Sequence, residues 1–320
     1  MRRILLAMAT LLVAVIFGPP LASSLFGLGP DVSLRPSPGR LIAIGNDMSI
    51  NVVEVGTGAP VVLVHGLPSN AYDWAPFTQA LAARGYRVIA YDRVGYGYSS
   101  RSANTSSRYT LESNAADLRA LLDALNLPRV ALVGWSYGGG VAQEFASQSP
   151  ERVSRLVLVA SVGPAQPPDD SDALGTILSS PVGGFILNWV GSVPPLARKM
   201  TQDALVQAFS RTEAIPKGWN DYARVMLAFP GTMNSFMWEA QRGRYSEMKP
   251  EALQVATLIL QGTDDRSVPP AVADDLHRRI KGSELVTIPG GCHMLPVVNA
   301  DVLAERVGNF LAQAHGEAIP

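Results

Sequence analysis

Ser136 stands at the centre of Gly134-Trp135-Ser136-Tyr137-Gly138, and the apolar run at 130–134 leads straight into it. A helix-compatible stretch, 138–149, follows without an intervening loop. A strand that passes directly into a helix must bend sharply at the residue between them. That bend holds the serine in a strained backbone conformation with its hydroxyl lifted clear of the sheet edge. Side chains two positions before or after would collide with the neighbouring strand and helix, which accounts for both glycines. The chemistry open to such a serine is nucleophilic attack with a covalent intermediate.

A serine hydroxyl is a weak nucleophile at neutral pH and needs a base in hydrogen-bond reach. Four histidines are available. His65 ends a strand, His277 lies among charges on a helix and His315 falls in the C-terminal tail. His293 follows Gly290-Gly291-Cys292 directly after the last strand, at the edge where Ser136 emerges, and is the expected base. An imidazole base needs a carboxylate to fix its tautomer and stabilise its charged form. Asp264 and Asp265 follow the strand at 257–261; one can turn toward His293 while the other caps the helix that starts near Pro270. The oxyanion of an acyl-transfer intermediate needs preorganised N–H donors. Those expected are the backbone N–H of Tyr137, which starts the helix after the elbow, and that of Leu67, in His65-Gly66-Leu67-Pro68 after the strand at 61–65. With no H-E-x-x-H and no cluster of Cys and His, no metal is expected; with no phosphate loop and no strand-linked G-x-G-x-x-G, no cofactor is expected.

The elements that must position these residues alternate along the chain. Strands are expected at 50–55, 61–65, 88–92, 130–134, 156–160, 257–261 and 285–288. Helices are expected at 74–84, 111–125, 138–149, 270–280 and 301–313. Continuously apolar strands separated by amphipathic helices indicate an α/β fold, with a mostly parallel sheet covered on both faces. Gly56-Thr57-Gly58 reads as a hairpin turn between the first two strands. The alternation stops between Gly163 and Pro250, where Trp189, Trp219, Trp238 and five methionines recur at helical spacings such as Met226, Phe229 and Met233. That region, about 164–250, is read as a helical insertion with a largely apolar wall suited to an apolar ligand.

Composition narrows the partners. A net charge of -1 without clustered Lys and Arg argues against nucleic acid. One cysteine, Cys292, excludes an intrachain disulfide. Arg2 and Arg3 precede an apolar run from Ile4 to Phe17, and no charge follows until Asp31. Residues 1–30 therefore read as an export signal or an N-terminal anchor, with membrane attachment through 4–26 and the remaining domain outside the cytoplasm. Residues 31–40, polar and broken by prolines, read as a linker to a domain spanning 41–320.

Taken together, the chain resembles the α/β-hydrolase family. The matching stretches are His65-Gly66-Leu67-Pro68, Asp92-Arg93-Val94-Gly95-Tyr96-Gly97-Tyr98-Ser99, the elbow at Ser136, Gly262-x-x-Asp265 and Gly291-Cys292-His293. The order Ser136, Asp265, His293 is the family's order, and its G-x-x-D spacing selects Asp265 over Asp264. The resemblance also implies that the insertion is a helical cap. The capped branch includes esterases, carbon–carbon bond hydrolases, cofactor-free haloperoxidases, epoxide hydrolases and haloalkane dehalogenases. A serine at the elbow argues against the last two, which use aspartate. The branch often carries a glutamate five residues after its histidine, whereas Val298 stands here. Three readings follow: a serine hydrolase of small to medium apolar carboxylic esters, a carbon–carbon bond hydrolase with the same triad, and a ligand receptor on this fold.

Overall fold

The computed structural model describes residues 30–102, 108–164, 193–242 and 248–313, with Gly18 and Trp189 besides. The described fold opens with β1 (Arg40–Gly45), β2 (Met48–Val55), β3 (Ala59–Val64), α1 (Ala75–Ala82) and β4 (Tyr86–Tyr91). Next come α2 (Leu111–Ala124), β5 (Val130–Trp135), α3 (Tyr137–Gln148) and β6 (Val153–Val159). Three helices then succeed one another, α4 (Pro194–Phe209), α5 (Trp219–Leu227) and α6 (Thr232–Arg242). The sheet resumes with β7 (Thr257–Gly262), α7 (Pro270–Arg279), β8 (Glu284–Ile288), α8 (Leu295–Val298) and α9 (Ala300–Ala312).

The eight strands form one sheet in the order β1-β2-β4-β3-β5-β6-β7-β8. β2 is antiparallel to both neighbours, and every pairing from β4 through β8 is parallel. All six residues of β5 are buried, as a central strand covered on both faces requires. Alternate residues feed two cores. Val62, Val64 and Leu132 pack with Leu118, Val141, Phe145 and Leu276 beneath α2, α3 and α7. Val61, Leu63 and Val133 pack with Phe77, Leu81, Val307 and Phe310 beneath α1 and α9. The carboxyl ends of β3, β5, β7 and β8 thus meet along one rim, the place where open α/β sheets bind ligands.

Two expectations need correction. Arg40 does not end a linker but opens β1, an edge strand with only Ile42 buried, whose mixed pattern carries little hydrophobic signal. The preceding segment also lies against the domain: Tyr98 and Tyr72 donate to the carbonyls of Pro36 and Ser37, both at 2.6 Å. Gly56-Thr57-Gly58 is not a hairpin turn, because β2 and β3 are not partners. β4 lies between them, antiparallel to one and parallel to the other, so the turn carries the chain over a strand position.

α4, α5 and α6 fall where a helical insertion is expected. Residues 165–188, 190–192 and 243–247 of that stretch lie outside the described residues. So does the N-terminal segment on which the export or anchor expectation rests. Among the described residues no helix is long and apolar enough to cross a membrane.

Candidate active site

β5 delivers Ser136 at φ +56° and ψ −123°, a conformation that few side chains adopt. The bend survives because its surroundings hold it. The Ser136 N–H donates to Val159 O of the adjacent strand at 3.0 Å, and the Ser136 carbonyl accepts from the N–H groups of Gly139 and Val162. Both flanking glycines are sterically required. A Cβ at Gly134 would lie 2.4 Å from the Gly138 carbonyl oxygen, and one at Gly138 would lie 2.2 Å from that of Val64.

His293, in the loop after β8, places Nε2 3.0 Å from Ser136 Oγ and Nδ1 2.8 Å from Asp265 Oδ2. A carboxylate only accepts, so Nδ1 carries the hydrogen and Nε2 is left free to accept from the serine hydroxyl. Asp265 is itself fixed. Its Oδ1 accepts from the N–H groups of Ser267 and Val268 at 2.8 Å each, and its Oδ2 from Gln261 Nε2 at 3.2 Å. Asp264 is exposed, accepts from Thr263 Oγ1 at 3.0 Å, and does not cap α7. The division of labour expected of the two aspartates is therefore absent: Asp265 both orders the loop and faces the histidine.

Leu67 and Tyr137 line the same cavity as Ser136 and His293. Tyr137 opens α3, where the first N–H groups have no intrahelical acceptor. The Leu67 N–H has no protein acceptor among the described residues. Of the other histidines, His65 is fully buried, and burial together with Arg93 holds its pKa well below the ordinary value. Its Nε2 accepts from the Arg93 backbone N–H at 2.9 Å, which makes it a structural group. His277 pairs with Ser283, and His315 lies outside the described residues.

Sequence reading missed the scaffold behind these residues. Arg93 is buried and donates from Nε to His65 O at 3.2 Å and from Nη2 to Gly66 O at 3.0 Å, which braces the loop that carries the Leu67 N–H. Its Nη1 meets Asn114 and Glu239, the latter on α6 and fully buried. Tyr96 Oη donates to the second Glu239 oxygen at 2.7 Å. A buried Glu within a helical run has no local signature, but a lone Arg in Asp92-Arg93-Val94 requires a buried counter-charge somewhere.

The cavity above Ser136 measures about 430 Å³. α4, α5 and α6 contribute Leu205, Ala208, Trp219, Tyr222, Met226 and Leu227 among others, and no charged side chain. This wall is mostly aliphatic and aromatic, with Thr201 and Thr232 besides; of the cap methionines only Met226 reaches it, while Met237 and Met248 are buried in packing. Neither Arg198 nor Arg224 lines it: both pair with Asp221. Arg211 borders a separate hollow with Asp264 and Arg266. The side chains of Arg242 and Arg244 lie outside the described residues.

A mostly parallel α/β sheet with a strained serine at the end of its central strand and a histidine–carboxylate pair beside it defines a class of hydrolases. A family profile described as alpha/beta hydrolase fold matches residues 59–300, and the chain belongs to that family. It is 32% identical over 285 residues to 2-hydroxy-6-oxo-2,4-heptadienoate hydrolase from Pseudomonas putida, covering 86% of this chain and 96% of that protein. It is 31% identical over 265 residues to non-heme chloroperoxidase from Burkholderia pyrrocinia, covering 76% of this chain and 88% of the other. The solved structure of a bromoperoxidase from Bacillus anthracis superposes with a TM-score of 0.73 at 27% identity, covering 85% of this chain and 99% of that one.

Proposed function

We propose that the protein hydrolyses carboxylic esters of small to medium, largely apolar substrates through an acyl-enzyme on Ser136. The observation that carries this reading is the hydrogen-bonded line from Ser136 Oγ through His293 to Asp265, opening into a largely apolar cavity. Ser136 Oγ attacks the acyl carbon as His293 Nε2 takes its proton, and Asp265 stabilises the imidazolium without accepting the proton. The carbonyl oxygen becomes an oxyanion facing the N–H groups of Leu67 and Tyr137, each donor of this kind contributing about 3 kcal/mol. Collapse expels the alcohol, which takes the proton from His293. Water, deprotonated by the same imidazole, then releases the acid and restores Ser136.

Hydrolysis of a carbon–carbon bond by the same residues is the second reading, supported by the likeness to the Pseudomonas putida enzyme. A substrate such as a heptadienoate carries a carboxylate, and a buried anion needs a cation beside it. Among the described residues that line the cavity, none is Lys or Arg. With no cation among those described residues, the wall supports the ester reading.

The test is a panel of acyl esters of increasing chain length run beside a vinylogous diketone acid. The ester reading expects kcat/KM to rise severalfold per added methylene, each contributing about 0.8 kcal/mol, until the cavity is full. Turnover of the diketone acid with no turnover of esters would reverse the order of the two readings.

A further inference from the structure

Among the described residues, the cavity wall holds one charged group outside the line of Ser136, His293 and Asp265. Asp73 sits in a 3-10 turn (Ala71–Trp74) on the loop after β3 and borders the same cavity. It is 7% exposed. Its Oδ2 accepts from Ser69 Oγ at 2.6 Å and its Oδ1 from Tyr222 Oη, on α5, at 2.8 Å. Tyr222 Oη also lies 3.2 Å from Asn70 Oδ1, but a hydroxyl has one hydrogen and Asn70 Oδ1 already accepts from the Tyr72 N–H.

Three physical facts make this group unusual. A buried carboxylate is ordinarily paired with a cation. Asp73 has no ion pair among the described residues, and the nearby charge acting on it is a second carboxylate, Asp92. Burial accordingly pushes its pKa up to about 6, against the hydrogen bonds from Ser69, Tyr222 and the Asn70 backbone N–H. Two hydroxyls and the Asn70 backbone N–H fill three of the roughly four acceptor directions of a carboxylate, which leaves one for a donor on a group that borders the ligand space.

We propose that Asp73 is a specificity-determining residue that receives a hydrogen-bond donor of the substrate, an ammonium or a hydroxyl remote from the scissile ester, and that turns away substrate carboxylates. This rests on the ester reading and narrows it: the substrate is an apolar ester with one donor group. An ammonium supplies the counter-charge that the site lacks, and a hydroxyl supplies a hydrogen without the charge. A carboxylate would set a second anion in a cavity with no Lys or Arg among the described residues of its wall.

The experiment uses the full chain and two series of esters built on a pentyl group, one varied in the acyl part and one in the alcohol part. Each series ends in methyl, hydroxyl, ammonium or carboxylate. The readout is the ratio of kcat/KM for each ending to that for methyl, in wild type and in Asp73→Asn. Wild type is expected to favour a donor ending over carboxylate by at least tenfold in one series, equivalent to about 1.4 kcal/mol. Asp73→Asn is expected to collapse that ratio toward one, with the ammonium ratio falling further than the hydroxyl ratio. A residue that merely ties α5 to the core would lower all endings equally and leave the ratios in place. Ratios near one in wild type, or ratios untouched by Asp73→Asn, overturn the proposal while turnover of the methyl ester upholds the ester reading. If no ester is turned over, calorimetric titration with pentylammonium, pentanol and pentanoate decides instead. Tighter binding of either donor than of pentanoate, lost in Asp73→Asn, supports the proposal, and equal binding overturns it.

Discussion

The backbone N–H of His293 donates to the carbonyl oxygen of Ala208 at 3.1 Å, so the loop that carries the imidazole hangs from a helix of the inserted segment. The same end of α4 reaches the neighbouring loop, where Gln207 Nε2 donates to Arg266 O at 2.6 Å and Ser210 Oγ donates to Asp264 O. α4 is therefore part of the frame that sets the distance between His293 and Asp265, and not only a roof.

The second tether of that loop is the indole N–H of Trp135, which donates to His293 O at 2.9 Å. Val298 is 39% exposed at the end of α8; its backbone N–H donates to Met294 O at 3.0 Å, but its side chain offers the loop no hydrogen bond. Trp135→Phe keeps an aromatic ring against Trp74 and His293 but removes the donor. The expected result is a loss of about 1 kcal/mol in stability and a fall in kcat of roughly tenfold, with KM little changed, read from urea unfolding and steady-state kinetics.

Asp265 and Asp264 are adjacent but differ in what they hold. Asp265→Asn leaves one oxygen for the loop N–H groups and turns an amide toward Nδ1, which favours the wrong tautomer; an equivalent change costs on the order of ten-thousandfold in kcat. Asp264→Asn loses only the exposed contact with Thr263 and is expected to stay within about threefold of wild type. Parallel kcat measurements on the two variants check this.

Glu239 and Arg93 are both buried, with side-chain exposures of 0% and 1%. Removing one partner of such a pair leaves a buried charge uncompensated, so Glu239→Ala is expected to cost about 3–5 kcal/mol. Glu239→Gln, which keeps an acceptor for Arg93 and Asn114, is expected to cost about half of that. Urea melts give both numbers. Activity should fall with the Ala variant even where it is folded, because Arg93 braces the Gly66 carbonyl beside the Leu67 N–H.

The elbow and the parallel strands were legible because their signals are local. β5 reads as six consecutive buried residues, and the Ser136 turn is dictated by two glycines that no other residue can replace. β1 escaped because an edge strand alternates weakly, and its start was absorbed into a polar, proline-broken segment. The position of β4 between β2 and β3 escaped because chain order does not reveal crossovers. Ser136, His293 and Asp265 could be matched by motif, but Arg93 with Glu239, Trp135 with His293, and Asp73 with Tyr222 join positions about 150 residues apart. Each is a polar group whose partner comes from another element, so nothing in its own neighbourhood predicts the pair.

Asp73 also ties stability to pH. Its native pKa of about 6 lies above the unfolded carboxylate value of 3.8, so between those values the native state binds the additional proton. Stability contributed by this group is then lost as pH rises from roughly 4 to 6 and stays lost above it, a change of about 3 kcal/mol for a shift of this size. Asp73→Asn removes the titration. The unfolding free energy of the variant minus that of wild type is expected to increase from pH 4 to pH 7, the variant becoming relatively more stable, measured by denaturant melts across that range; a constant difference would contradict it.

The central claim is that Ser136 is the residue that forms the acyl-enzyme. Treatment with a fluorophosphonate followed by peptide mass mapping, with ester turnover followed in parallel on wild type and Ser136→Ala, tests it most directly. The account predicts a single phosphonyl adduct on the peptide containing Ser136, loss of ester turnover in step with labelling, and no adduct in Ser136→Ala. It also predicts that this variant keeps the wild-type melting temperature and loses kcat by several orders of magnitude. An adduct on another residue, or a Ser136→Ala variant that retains turnover within about tenfold of wild type, would contradict it.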